Sequence, residues 1–157
     1  MDKASLREAI VKRIKADLEI QTRAALMARD EATHEESKPE NQYDMHAQEA
    51  AYLAEGQAKL AAELHESITL YQNLPLPAFT PAHPVSLGAV VTLDAAGRKT
   101  HYFIGPRNGG IEVSFEGTEI IVLTPPSPLG RLLVGRRVGD MIKIPGRTTV
   151  QRIDAIK

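Results

Sequence analysis

The densest group of chemically capable side chains in this sequence lies in the segment DEATHEESKPENQYDMH, from Asp30 to His46. It holds six carboxylates around the single basic residue Lys38. The carboxylates belong to Asp30, Glu31, Glu35, Glu36, Glu40 and Asp44. Carboxylates at this density could take part in a reaction, or could form a solvated turn whose charges deter aggregation. The segment alone leaves both interpretations open.

Other kinds of reactive site have little support in the sequence. The absence of cysteine excludes disulfides, thiolate zinc sites and a cysteine nucleophile. A zinc site needs three or four convergent donors, and the five histidines, His34, His46, His65, His83 and His101, do not form a ligand set with a recognisable spacing. Ser127 lacks the glycine-flanked setting of a serine nucleophile and is better explained as a helix cap. Residues 108–110, Asn-Gly-Gly, predict a hairpin turn, since no Gly-Lys-Ser/Thr follows to complete a phosphate loop.

Composition places the chain among ordinary globular proteins and separates its charge into two regions. With 157 residues, 43% hydrophobic and 25% charged, the chain is long enough to bury a core. The 4% aromatic content and the absence of Trp argue against single-strand nucleic-acid binding, which uses aromatic platforms. Residues 1–75 carry 9 basic and 14 acidic side chains, whereas residues 76–157 carry 10 and 6. This asymmetry suggests that the two regions face different partners.

The sequence predicts a cytoplasmic protein with no membrane partner. Its beginning, MDKASLREAIVKRIKADLE, is charged throughout and unlike a signal peptide. No segment approaches the ~20 apolar residues needed to span a bilayer. The lack of cysteine also fits a reducing compartment.

Two long amphipathic patterns surround the acidic segment. The first predicts a helix from about Ser5 to about His34, with Ser5 and Glu8 forming a capping box. Its apolar stripe contains Leu6, Ile10, Val11, Ile14, Leu18, Ala25 and Leu26. After the break at Pro39, a second helix is predicted from near Glu40 to about Asn73. Its stripe contains Ala50, Leu53, Gln57, Leu60, Leu64, Ser67 and Tyr71. Folding the two stripes together predicts an antiparallel coiled-coil hairpin with the acidic segment at its tip.

The second half of the chain has the pattern of a small sheet. LPLPAFTPAHP, residues 74–84, predicts a stiff extended linker because of its closely spaced prolines. Six runs rich in β-branched residues then predict strands: Ala89–Leu93, Thr100–Ile104, Ile111–Ser114, Glu119–Leu123, Met141–Ile144 and Thr148–Ile156. Ser127 and Pro128 predict the start of one short helix, and Gly135 its end. We therefore predict an α+β protein with a coiled-coil hairpin over residues 1–75, and a proline-rich linker with a mainly antiparallel β domain over residues 76–157.

Several segments of the sequence resemble one family. SPLGRLLVGRRVGDMIKIPG, residues 127–146, is similar to the part of the bacterial Gre transcript-cleavage factors in which a Ser-Pro turn opens a short helix. That family's helix ends in a Gly-Lys/Arg step and is followed by Gly-Asp. GAVVTL, HYFIGP and EIIVLTPPSP resemble strands of the same domain, and PENQYDMHAQEAAYLAEGQAKLAAEL resembles the start of its second hairpin helix. The resemblance covers most of the chain in the same order, and it implies an FKBP-like fold for the β domain.

The resemblance implies a role in transcription elongation. Gre factors bind RNA polymerase through the C-terminal domain and insert the hairpin into the secondary channel. Acidic tip residues there help to hold a second Mg²⁺ and position water for hydrolysis of backtracked RNA. The implied protein is thus not an enzyme itself and has no cofactor of its own, because the Mg²⁺ belongs to the polymerase active site. Its partners would be RNA polymerase and, indirectly, nascent RNA, with no small-molecule substrate.

The residues expected to act follow from the same resemblance. Glu40 matches the family's tip glutamate, whereas Ser37 stands where cleavage-competent members have an aspartate. Glu36, or else Glu35, could supply the missing carboxylate. We therefore expect Glu36 and Glu40 to act in catalysis and to share the polymerase Mg²⁺. The residues expected to contact the polymerase are Ser127, Pro128, Arg131, Arg136 and Arg137, although the arginines could equally be a solubilising patch.

Three alternatives remain open at the level of sequence. Ser37 favours a Gre-like regulator that occupies the secondary channel without promoting cleavage. An FKBP-like domain could instead be a prolyl isomerase, but the aromatic residues from the linker onward, Phe79, Tyr102, Phe103 and Phe115, are few for such a pocket. The hairpin could also make the protein a coiled-coil adaptor.

Overall fold

The computed structural model describes residues 1–33 and 46–157, which form two long helices, six strands and a short helix. The helices are α1 (Lys3–Thr33), α2 (His46–Gln72) and α3 (Pro128–Leu133). The strands are β1 (Val90–Ala95), β2 (Arg98–Ile104), β3 (Glu112–Phe115), β4 (Thr118–Leu123), β5 (Met141–Lys143) and β6 (Val150–Ile156). The predicted α+β architecture, a helical hairpin followed by a small sheet with one short helix, is confirmed.

The chain divides into two compact units. One consists of Met1–Ile10 together with Leu70–Lys157, and it contains the sheet, α3 and the outer ends of both long helices. The other is Val11–Thr69, the body of the hairpin. Each unit therefore has its own set of buried side chains.

The hairpin body is packed along a seam that differs in part from the predicted stripe. On α2 the buried or half-buried positions of the hairpin body are Ala50, Ala54, Gln57, Ala61, Leu64, Ser67 and Ile68. The predicted positions Ala50, Gln57, Leu64 and Ser67 are among them. Leu53 and Leu60, predicted to pack in the seam, are instead 54% and 45% exposed, and Leu26 of α1 is 53% exposed. Starting from Ala50, a repeat of alternating three-residue and four-residue steps can continue either to Leu53 or to Ala54. The prediction took Leu53 and Leu60 because they are the more apolar side chains, whereas Ala54 and Ala61 are the half-buried ones in the structure.

The start of α1 is capped by Asp2, so the predicted capping box at Ser5 is wrong. The Asp2 carboxylate accepts hydrogen bonds from the backbone N–H of Ala4 at 3.1 Å and of Ser5 at 3.3 Å. The Ser5 hydroxyl donates to the same carboxylate at 2.5 Å. These bonds, the hydroxyl bond first, lower the pKa of Asp2. A carboxylate two residues before the first amide it caps explains why α1 begins earlier than predicted.

The six strands form one mixed sheet in the order β3-β4-β2-β1-β6-β5. All six predicted strands are present with shifted ends. Neighbours are antiparallel except β2 and β4, which run parallel from the His101–Ile120 pair to the Ile104–Leu123 pair. Since β2 and β3 are not paired, residues 108–110 turn within a crossover, and the predicted hairpin turn there is wrong. Asn108 still adopts the positive φ, 60°, that such a turn favours.

Both faces of the sheet carry buried side chains. On one face Leu133 of α3 joins a core with Leu93, Ile104 and Ile153. On the other face Phe103 is fully buried, and its ring lies 6.5 Å from the ring of Tyr71. The Tyr71 hydroxyl donates to the Arg107 carbonyl at 2.6 Å, and burial raises the pKa of this phenol. The outer end of α2 is thereby fastened to the sheet within one compact unit.

Candidate functional site

The predicted tip carboxylates of Glu36 and Glu40, together with Ser37, lie outside the described residues. Residues 34–45 connect the end of α1 at Thr33 to the start of α2 at His46. Four of the six carboxylates of the acidic segment belong in the chain order to this connection, whereas Asp30 and Glu31 lie in the last turn of α1. Across residues 1–33 and 46–157, no group of three His, Asp or Glu side chains is arranged to hold a metal ion.

Ser127 and Pro128 set the start of α3. Ser127 has extended backbone angles, φ −64° and ψ 157°, and its hydroxyl accepts from the Gly130 N–H at 3.1 Å. The same hydroxyl donates to the Thr124 carbonyl at 2.7 Å. Pro128 occupies the first turn, where its missing N–H costs no helical bond. The predicted cap is confirmed, and the Ser127 hydroxyl is already committed to the backbone of its own chain.

Gly130 makes this turn sterically feasible. A Cβ atom at this position would lie 2.0 Å from the Thr124 carbonyl oxygen and 2.8 Å from the Ser127 Oγ. Gly130 is buried, and the N–H of Arg131 donates to the Ser127 carbonyl at 2.9 Å. The backbone of this turn therefore requires glycine at the fourth position of Ser-Pro-Leu-Gly. The exposed side chain of Arg131 follows directly after it.

The exit of α3 is fastened to the end of the proline-rich linker. Gly135, at φ 85°, donates its N–H to the Val85 carbonyl at 2.9 Å, and the Val85 N–H donates to the Arg136 carbonyl at 2.8 Å. The Arg137 side chain donates from Nη1 to the Ala82 carbonyl at 2.7 Å. These three bonds join residues far apart in sequence. They fix the direction in which the chain leaves the helix.

The three predicted contact arginines therefore differ in their availability. Arg137 is exposed but its guanidinium is engaged with the linker, and its backbone N–H donates to the Asp140 carboxylate at 2.9 Å. Arg131 and Arg136 are exposed, and within the described part of the chain neither guanidinium has a hydrogen bond or an ion pair. The five predicted contact residues lie in one short stretch of the sequence, and among the described residues Arg131 and Arg136 are the two of its arginines without such a bond. Their role in binding stays a prediction.

Sequence reasoning missed the contacts that hold the linker. Lys3 donates from Nζ to the carbonyls of Pro77 and, at 3.2 Å, Gly88, and its ammonium lies 4.5 Å from the centre of the Phe79 ring. Burial lowers the pKa of Lys3. Arg7 donates from Nη1 to the Leu74 carbonyl at 3.1 Å. A proline residue has a carbonyl acceptor but no N–H donor, so a proline-rich segment needs hydrogen-bond donors from elsewhere. The basic side chains at the start of α1 could have been recognised in the sequence as such donors.

The hairpin body exposes large apolar side chains that sequence reasoning had placed inside or passed over. Ile20, Met27 and Tyr52 are 61%, 68% and 72% exposed, in addition to Leu53 and Leu60. Exposed apolar side chains grouped on one element are typical of surfaces that contact other macromolecules. None of the helices in the described ranges combines the length and apolar character of a membrane span.

The space beneath α3 is filled. Leu133 packs there with Val85, Val91 and Ile142, each at most 2% exposed, and with half-buried Phe79 and Tyr102 beside them. A prolyl isomerase binds its substrate in an apolar pocket, as small-molecule sites generally do. The side chains named here are packed against one another as a core.

The geometry defines a two-helix hairpin with an acidic connection, followed by a mixed-sheet domain with one capped helix. No protein-family model and no curated protein matches the chain. Among solved structures, the chain is similar to GreA factor homolog 1 (Gfh1) of Thermus thermophilus, with 18% identity over 94% of each chain and a TM-score of 0.38. A further structure of the transcription factor Gfh1 has 19% identity over 94% of this chain and 93% of the other, with a TM-score of 0.37. Thermus aquaticus Gfh1 has 18% identity over 95% and 94%, with a TM-score of 0.40.

Proposed function

We propose that this protein is a Gre-like transcription factor. It binds bacterial RNA polymerase through its sheet domain and inserts its hairpin into the secondary channel, where the tip carboxylates stimulate cleavage of backtracked RNA. The observation that carries the proposal is the segment Ser127–Gly139. Its sequence resembles the family's Ser-Pro helix, and its backbone has the capped start, short helix and glycine exit that the resemblance implies.

The dimensions and surface of the hairpin support insertion into a channel. Helices α1 and α2 have 31 and 27 residues. At 1.5 Å per residue they are about 45 Å and about 40 Å long, enough for a tip to act far from the helix ends. The exposed apolar side chains of Ile20, Met27 and Tyr52 give the hairpin a surface suited to contact with protein walls.

The chemistry at the tip follows from the ligand preference of Mg²⁺. This ion takes oxygen ligands and is usually held by one or two carboxylates together with phosphates and waters. Glu36 and Glu40 would add carboxylates to a Mg²⁺ that the polymerase and the RNA phosphate already coordinate in part. A Mg²⁺ held in part by Glu36 and Glu40 would supply stabilisation of the charge that develops during hydrolysis of the RNA. The polymerase remains the catalyst.

RNA release from purified backtracked complexes tests this proposal. The wild-type protein should accelerate release, and the Glu36→Ala/Glu40→Ala variant should lose that stimulation by on the order of 100-fold, the scale for removing transition-state charge stabilisation. A Glu55→Ala/Glu63→Ala variant removes the same charge from exposed positions of α2 and should stimulate normally. If the wild type and the tip variant behave alike, the tip chemistry is wrong.

Ser37 favours a second candidate function, a Gre-like regulator that occupies the secondary channel without promoting cleavage. A serine hydroxyl is a weaker Mg²⁺ ligand than a carboxylate. Binding to polymerase without any stimulation at ample Mg²⁺ would decide for this regulator. A Ser37→Asp variant separates the two functions further, since stimulation gained only with aspartate would show that the natural tip is not competent in cleavage.

A further inference from the structure

A second candidate binding surface lies on the sheet, and none of its lining residues belongs to the segment 127–139. It is an open groove of about 750 Å³ between the β1–β2 turn, at Ala95 and Ala96, and residues 146–149 before β6. Its floor is formed by side chains of β2 and β4, with Thr100, Tyr102 and Ile121 on it. Arg98, Arg147, Thr148, Thr149 and Gln151 complete the lining. The groove lies entirely within the compact unit that contains the sheet.

The groove is cationic and its two cations are unpaired. Arg98 and Arg147 line it, and no Asp or Glu does. Within the described residues neither guanidinium takes part in a hydrogen bond or an ion pair. Acidic side chains of Glu112 and Glu119 line the smaller adjoining groove of about 460 Å³ on the other side of Arg98.

Neighbouring basic side chains on the same strands are neutralised, which makes the unpaired arginines distinctive. Lys99 contacts the Asp154 carboxylate at 2.9 Å, and Arg152 contacts Asp154 at 3.0 Å and Asp94 at 3.9 Å. The bond and the charge of Lys99 lower the pKa of Asp154. The sheet thus carries a closed charge cluster on Asp94, Lys99, Arg152 and Asp154, and a separate pair of open guanidiniums in the groove.

We propose that this groove binds an extended acidic peptide segment of a protein partner. Each guanidinium presents a fork of N–H donors that matches a carboxylate in a bidentate pair. In the same lining, the hydroxyls of Thr100, Thr148 and Thr149 can exchange hydrogen bonds with peptide groups. The inference stands apart from the proposed role in transcription, because it depends on the groove and not on the hairpin tip.

The lining favours a peptide over a nucleic acid. Single strands are held by several aromatic rings on which bases stack, together with a basic track. This groove contains one aromatic side chain, Tyr102, which is half-buried against the sheet core and whose pKa is raised by that burial. Two cations also form a short track for a phosphate backbone. Threonine hydroxyls and an amide suit the mixed donors and acceptors of a peptide instead.

The test measures binding of the full-length protein to a fluorescent peptide of alternating glutamate and serine, at physiological salt. The Arg98→Ala/Arg147→Ala variant should weaken binding about tenfold, as expected for two exposed charge-assisted pairs. The Lys99→Ala/Arg152→Ala variant removes the same charge from the neutralised cluster, and its affinity should stay within about twofold of wild type. A titration of isotope-labelled wild-type protein should shift the amide signals of Thr100, Thr148 and Thr149, which locates the peptide independently of any variant.

Three results would overturn the proposal. The first is an absence of saturable peptide binding together with unmoved groove signals. The second is equal weakening by both double variants, which would mean that net charge alone attracts the peptide. The third is tighter binding of a thymidine oligonucleotide than of the peptide, lost in Arg98→Ala/Arg147→Ala, which would make the groove a nucleic-acid site. If the wild-type protein binds the peptide but does not stimulate RNA cleavage by the polymerase, only the transcription proposal is contradicted.

Discussion

The hydroxyl of Ser127 both accepts a hydrogen bond from Gly130 and donates one to Thr124. Ser127→Ala should therefore destabilise the sheet unit by about 1 kcal/mol, the usual cost of losing a helix cap. Ser127→Thr keeps a hydroxyl at the same place and should lose only a few tenths of a kcal/mol. Urea unfolding of the two variants checks this. An alanine variant as stable as the wild type would show that the cap contributes nothing to folding.

Gly130 and Gly56 are predicted to respond oppositely to the same substitution. At Gly130 a new Cβ would lie 2.0 Å from a backbone carbonyl oxygen, so Gly130→Ala should cost about 3 kcal/mol or more. At Gly56, in the middle of α2, nothing lies within 4 Å of the new atom, and Gly56→Ala should stabilise the helix by up to about 1 kcal/mol. Thermal unfolding measures both. Equal effects at the two positions would contradict the steric account of the Ser-Pro-Leu-Gly turn.

Tyr71 gives the protein a pH dependence in the alkaline range. Burial raises the pKa of its phenol above the ordinary value of 10.0, so the folded protein holds this proton after the unfolded chain has lost it. The contribution of Tyr71 is therefore complete below about pH 10 and falls as the pH rises beyond it. Tyr71→Phe should cost about 1 kcal/mol at neutral pH by losing the bond to the Arg107 carbonyl. Its deficit relative to the wild type should shrink above pH 10.

The matched control for this prediction is Tyr52→Phe. The Tyr52 side chain is 72% exposed, so Tyr52→Phe removes a hydroxyl from the surface and should leave the free energy of unfolding close to that of the wild type. Denaturant unfolding at neutral and alkaline pH makes the comparison. A Tyr71→Phe deficit that stays constant or grows above pH 10 would show that the phenol is not held in its neutral form.

At the scale of the element, the hairpin seam contains polar atoms without partners. The amide oxygens of Gln21 and Gln57 are buried and have no hydrogen bond within the described residues. Gln57→Leu should stabilise the hairpin body by about 1 kcal/mol, because an apolar side chain removes the cost of an unsatisfied buried group. Gln48→Leu, at an exposed position of α2, should change stability by less than about 0.5 kcal/mol. Helical circular dichroism during urea unfolding reports both, and destabilisation by Gln57→Leu would mean that its amide is satisfied in solution.

The elements could be predicted from sequence wherever the period and the turn residues agreed. Six strands separated by glycine or proline, and a helix opened by Ser127 and Pro128, were predictable because each signal is local. The seam was not, because Leu53 and Ala54 both fit an alternation of three and four, and only the facing helix decides between them. The parallel pairing of β2 with β4 was also out of reach, since strand order depends on contacts between segments distant in sequence.

At the scale of the whole molecule, the sequence was enough to predict which segment contains the candidate contact residues. It was not enough to predict which of their side chains are available to bind a partner. The pattern indicated Arg131, Arg136 and Arg137 together. Only the fold shows that Arg137 donates to the Ala82 carbonyl, whereas the other two guanidiniums have no hydrogen bond or ion pair in the described part of the chain. No motif in the sequence indicated the groove at Arg98 and Arg147. These arginines are 49 residues apart by numbering, and their common lining depends on the packing of the sheet.

The central claim is that the hairpin tip reaches the polymerase active site. Because the chain has no cysteine, Ser37→Cys creates a unique attachment point for an iron chelate that generates hydroxyl radicals. The label should cut the RNA 3′ end and the protein around the catalytic Mg²⁺ in backtracked complexes. The same label at Ser114→Cys, on an exposed position of edge strand β3, should leave that region uncut. Absence of cutting from position 37, or equal cutting from both positions, would contradict the account.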